Sequence, residues 1–160
     1  MSMFENTQYR WRETYFVLFD APRRPTLKQV QQALSGLTCR LTLTNLTADE
    51  EGGFESLTVL SPDDFAALDV CYLCGEEVTE QAAALFQEMK APACSKGERA
   101  RLEKLRHCDG RFDVLHFEQI ADLEEDPEEM LDPSTLLIVL EALVALTDGI
   151  AVDPQAGTLM

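Results

Sequence analysis

The sequence predicts an α+β fold: a single domain over residues 1–160, built on a mixed, largely antiparallel sheet with helices packed on it. Three observations carry that expectation. Apolar patterns of period two and period 3.6 follow one another without a strict β-α repeat. Residues 39–61 hold two strand-like runs around a short polar turn, and so short a link can join only antiparallel strands. Residues 132–149 form a long capped pattern that is apolar on nearly every side, which suits the interior of a layered fold. With 160 residues, 46% of them hydrophobic, the chain can bury a core without staples.

Each element has a local reason. "TYFVLFDAP" (14–22) is an aromatic and β-branched run stopped by proline, hence a strand. "PTLKQVQQALSGL" is a helix in which Thr26 and Gln29 form a capping box and Leu27, Val30, Leu34 and Leu37 make the apolar stripe. "CRLTLTNLT" (39–47) alternates, with Leu41, Leu43 and Asn45 on one side and Thr42, Thr44 and Leu46 on the other. "ADEEGG" is the turn, and "FESLTVLS" (54–61) is the returning strand. "SPDDFAAL" reads as one helical turn, with Ser61 as cap and Pro62 at the first position. "DVCYLC" reads as a strand.

"EEVTEQAAALFQEMK" is a helix with Val78, Ala82, Leu85 and Met89 in register and its acids at the N-terminus, where the helix dipole favours them. "SKGERARLEKLRHC" is a surface helix with a thin stripe of Leu102, Leu105 and Ala100. "FDVLHFEQI" (112–120) is a strand, and "ADLEEDPEEML" an acidic loop. "DPSTLLIVLEALVALTDG" is capped by Asp132, opened by Pro133 and closed by Gly149; Leu137, Leu140 and Val144 are expected to be almost wholly buried. "IAVDP" is a last short strand. The β-α-β-β order of the first half suggests a ferredoxin-like unit, a statement about topology and not about function.

Charge narrows the partners. The formal net charge is -16. Such a surface repels nucleic acid and anionic membranes and favours a basic partner. No apolar run reaches membrane-spanning length, the N-terminal residues lack the apolar core of a signal peptide, and five cysteines fit no disulfide framework. The expected location is the reducing cytoplasm. Charge is also segregated. Basic residues gather in 1–40 and 96–111, and no lysine or arginine follows Arg111. These blocks suit either opposed faces within one fold or an acidic docking surface.

Few residues point to chemistry. Cys71 and Cys74 make a Cys-x-x-Cys. Zinc would need two more ligands, for which Cys94, His107 and Cys108 are the candidates. A redox pair would need a stabilised thiolate, which Glu76 and Glu77 oppose. On a buried strand the two cysteines are small hydrophobes that point to opposite faces. His116 shares a strand face with Val114 and Glu118, and a histidine beside a carboxylate can act as a general base. "YRWR" (9–12) interleaves rings and cations as single-stranded nucleic-acid binders do. It equally suits a sheet-edge strand with rings inward and arginines outward. "DLEEDPEEMLD" lacks the spacing of a calcium loop.

No nucleotide-binding, hydrolase or metalloprotease signature is present. The leading expectation is therefore a non-catalytic protein-interaction domain that uses no cofactor. The alternatives are a zinc or thiol-redox protein using Cys71 and Cys74, with Cys108 as a further ligand, and a small enzyme built around His116.

Overall fold

The computed structural model describes residues 9–37, 41–61, 66–89, 96–119 and 134–159. Its strands are β1 (Tyr9–Phe19), β2 (Thr42–Ala48), β3 (Phe54–Ser61), β4 (Ala66–Cys74), β5 (Gly110–Gln119), β6 (Ile150–Asp153) and β7 (Thr158–Leu159). Its helices are α1 (Leu27–Ser35), α2 (Glu76–Met89), α3 (Lys96–Leu105) and α4 (Ser134–Thr147). The architecture is α+β. One seven-stranded sheet, ordered β2-β3-β4-β5-β1-β6-β7, joins every described strand. All its described pairings are antiparallel, so the parallel component of the expected mixed sheet is not seen among them.

The ferredoxin-like expectation for the first half is not what this sheet displays. Three strands, β3, β4 and β5, lie between β2 and β1. Strand β1 pairs with β5 and β6, so α1 carries the chain across the sheet to its far edge.

Period-two alternation sends each strand's side chains to two different layers. On the first face, Val17 and Phe19 of β1, Val59 of β3, Leu68 and Val70 of β4, and Phe112 and Val114 of β5 are buried against Val30 and Leu34 of α1 and Leu136, Val139, Leu140 and Leu143 of α4. Phe112 is central, with ring centroids 4.8 Å from Phe19 and 5.4 Å from Phe54. On the second face, Leu18 of β1 and Ile150 and Val152 of β6 meet Val78, Ala82, Leu85 and Met89 of α2 and Leu102 and Leu105 of α3.

Helix ends follow the sequence where they are described. Thr26 and Gln29 form both hydrogen bonds of the capping box. Asp132 and Pro133, the expected start of α4, lie outside the described residues. At the other end of α4, Asp148 adopts φ +52°, and Gly149 is needed for close approach: a Cβ there would lie 2.7 Å from the Leu18 carbonyl oxygen.

Several expectations are corrected. Strand β4 starts at Ala66, so the helical turn expected through Leu68 is strand over 66–68, and residues 62–65 are not described. In α4, Leu140 is buried, but Leu137 is 49% exposed and Val144 half-buried. The inward side is instead Thr135, Leu136, Val139, Leu140, Leu143 and Thr147. Ala100 is exposed. The acidic loop after β5 lies outside the described residues. No described helix is long and apolar enough to cross a membrane.

Candidate functional site

Two groups of polar residues interrupt the apolar layers, one on each face. The first surrounds His116. Cross-strand register sets His116 of β5 opposite Leu68 and Glu13, and Glu118 opposite Ala66 and Arg10. The His116 Nδ1 lies 3.1 Å from a Glu13 carboxylate oxygen, and the Tyr15 hydroxyl donates to the same oxygen at 3.1 Å. Burial, and then the Glu13 carboxylate, push the Tyr15 phenol up to about 12. Glu118 is bound by Arg10, through Nε at 2.7 Å and also through its terminal nitrogen, and by Arg12 at 3.0 Å.

The face shared by Val114, His116 and Glu118 is thus as expected, but the arrangement is closed. His116 is 1% exposed. A general base must reach a substrate proton directly or through one water, and a side chain this enclosed offers no such approach. The "YRWR" stretch takes part in the same closure. Its arginines are exposed, as expected of outward side chains, but both also pair with the buried Glu118 carboxylate, and Trp11 is 44% exposed instead of facing inward.

The second group lies on the other face, toward β2. Here β2, β3, β4 and β5 line a cleft of about 430 Å³ formed by Asn45, Leu46, Thr47, Ser56, Leu57, Thr58, Asp69, Cys71 and Leu115. A bulge builds it. The β2–β3 register shifts between Thr44 and Thr47, and Asn45 takes φ +54°, a conformation asparagine tolerates better than most residues. The shift turns Asn45 away from the side of Leu41 and Leu43, which pack with the first face. Its amide donates to the Thr58 hydroxyl at 3.3 Å, and that hydroxyl donates to the Asp69 carboxylate at 2.7 Å. A hydrogen-bonded chain therefore runs across three strands to a carboxylate that is 7% exposed.

The β2–β3 hairpin is fixed at its tip. The Asp49 carboxylate accepts the Gly53 and Glu51 amides at 2.8 and 2.9 Å and pairs with Arg24 at 2.8 Å. The Gly53 amide above all holds the Asp49 carboxyl below its usual range. Arg24 also donates to the Phe54 carbonyl and stacks on the Tyr72 ring at 4.3 Å. On the helix-covered side of the cleft, Arg111 pairs with Asp113 at 2.6 Å, bonds Gln81 of α2 and lies over the Phe16 ring at 4.2 Å.

Of the predicted cysteine sites, Cys71 points into the cleft. Cys74, three residues on along the strand, shares the opposite face with Tyr72, so the two do not converge. Cys74 is exposed instead of a core residue. Burial, then Asp69 and Asp113, push the Cys71 thiol up, which disfavours a thiolate. Cys108 is buried and its thiol is pushed up to about 12, chiefly by burial. His107 is exposed, Cys94 is not described, and no group of potential metal ligands occurs among the described residues.

Asp69 and Asn45 did not stand out in the sequence. The available signal was a single acid in the apolar run "AALDVCYL" and an asparagine inside an alternating strand. No family model matches this chain, and no curated protein or solved structure shows significant similarity to it.

Proposed function

We propose that the chain is a non-catalytic binding domain for another protein, and that the partner presents positive charge to the cleft between β2 and β5. The observation that carries this reading is the make-up of the cleft. It combines apolar walls, Leu46 and Leu115, with an acidic floor at Asp69, and its one thiol is held away from the nucleophilic form. The histidine that could have served as a base is enclosed on the opposite face. The net charge of -16 adds long-range attraction for cations and disfavours nucleic acid. Neither a shared metal at Cys71 and Cys74 nor acid–base work by His116 gains support from this geometry.

The test uses defined probes. Short lysine-rich and glutamate-rich peptides of equal length are titrated into isotopically labelled protein at low and physiological salt. The lysine peptide should shift resonances of Thr58, Asp69, Cys71 and Leu115, and Asp69→Asn should weaken it about tenfold or more, as expected for loss of one charged hydrogen bond. Equal shifts from both peptides, or shifts spread evenly over the acidic surface, would overturn the proposal.

A further inference from the structure

The two edges of the sheet differ. One is β7, only Thr158–Leu159. The other is β2, Thr42–Ala48, which has no described strand on its outer side. Short edge strands are self-protecting, whereas longer ones are usually guarded by lysine, proline, an inward-pointing charge or a bulge. β2 reads TLTNLTA and carries, of these, only a bulge. Its bulge at Asn45 bends the strand but places no charge on the outer side, and Leu46 is 37% exposed. The hairpin tip that fixes the end of β2 is held by Asp49 and Arg24, so the edge is anchored.

We infer that β2 is a strand-addition site: a short, extended, basic segment of a partner protein pairs its backbone with the outer edge of β2. The inference rests on the proposed binding role and adds its mode. Backbone pairing supplies affinity in such docking, and alternate side chains supply selectivity. Charge selects the occupant. Asp49, Glu50, Glu51 and Glu55 surround the tip next to the strand, and of these Glu50, Glu51 and Glu55 are exposed. Two copies of this chain, each at -16, would bring like charges together, so a cationic segment is favoured over β2 of a second copy. The bulge splits β2, so the added segment spans only a few residues on either side of it.

Only one edge of an added strand faces the sheet, so its backbone amides alternate between pairing and pointing to solvent. The probe is a short peptide alternating lysine and valine, with two backbone N-methylated versions. One is methylated at the odd positions and the other at the even positions. One version should bind about tenfold or more weakly than the parent, through several lost hydrogen bonds, while the other keeps its affinity. Hydrogen exchange at β2 amides should slow when the parent peptide is bound.

If both methylated versions bind like the parent, strand addition is overturned and the cationic binding role survives. If no lysine peptide binds, both fall. If β2 amides become protected with rising protein concentration and no peptide, the occupant is a second copy and the basic-segment inference is overturned.

Discussion

On one face of the sheet, Phe19, Phe54, Phe112 and their neighbours lie under α1 and α4. On the other, α2 and α3 pack on β1 and β6, and the side toward β2 holds a cleft with a buried carboxylate. The first face settles its polar groups by closing them. Glu13 serves His116 and Tyr15, and Glu118 takes two arginines. The second face chains its polar groups, Asn45 to Thr58 to Asp69, toward a cavity. Both arrangements satisfy buried polar atoms, and among the described residues the second borders a cleft with room for a ligand. Under the proposed binding role, stability falls to one face and recognition to the other.

The largest expected effect tests that division directly. Phe112→Ala removes a fully buried ring and should destabilise by about 3–5 kcal/mol. Leu115→Ala, three residues away in a half-buried wall of the cleft, should cost well under half of that. Both are read from denaturant midpoints at constant m-value. Equal losses would mean that the cleft is part of a continuous core.

A second pair divides α4 in the same way. Leu140→Ala should cost about 2–5 kcal/mol, while Leu137→Ala should stay within about 0.5 kcal/mol. If Leu137→Ala proved as costly, the helix would be rotated and its outer side would be covered by something else.

Leu137 also shows how far the sequence can be read. The stripe Val78, Ala82, Leu85 and Met89 was legible because polar residues flank it, and all four are buried. In α4 nearly every position is apolar, so periodicity carries no information about which side meets the sheet. The thin stripe of α3 was legible at Leu102 and Leu105 for the same reason that α2 was. The hairpin was legible because its partners are close in sequence. The sites were not. Glu13 and His116 are 103 residues apart, and only register brings them together. The cleft depends on a one-residue irregularity at Asn45, which strict alternation cannot foresee. The opposed directions of Cys71 and Cys74 were legible, since parity along a strand is a local rule. The exposure of Cys74 was not.

A pH experiment sharpens the account of the closed face. Tyr15 and Tyr72 both border its core, and burial is the main cause that pushes each phenol to about 12. An unfolded chain releases phenol protons near 10. Between about pH 10 and 12 the unfolded state therefore binds fewer protons, and stability must fall as pH rises through that window. Phenolate absorbance checks it: at about pH 11 the folded protein should show clearly less phenolate than the same protein in denaturant. Coincident titrations would mean that these rings are not packed as described.

The smallest expected effect comes from salt, and it bears on the charges outside the closed face. With 29 acidic residues against 13 lysines and arginines, the folded chain carries net self-repulsion at neutral pH. The Debye length shrinks from about 30 Å at 0.01 M salt to about 8 Å at physiological strength, which removes most repulsion between distant exposed acids. Pairs such as Arg10 and Arg12 with the buried Glu118 are screened far less, so salt weakens them little. The balance should favour the folded state by less than about 1 kcal/mol, the scale of exposed charge interactions. Denaturation midpoints at pH 7 should accordingly rise between low and physiological salt. A fall would mean that exposed pairs such as Lys104–Asp148 and Arg106–Glu103 outweigh the net repulsion. The acidity of the cleft side would then be locally compensated, and its attraction for a basic partner would be weaker than the net charge implies.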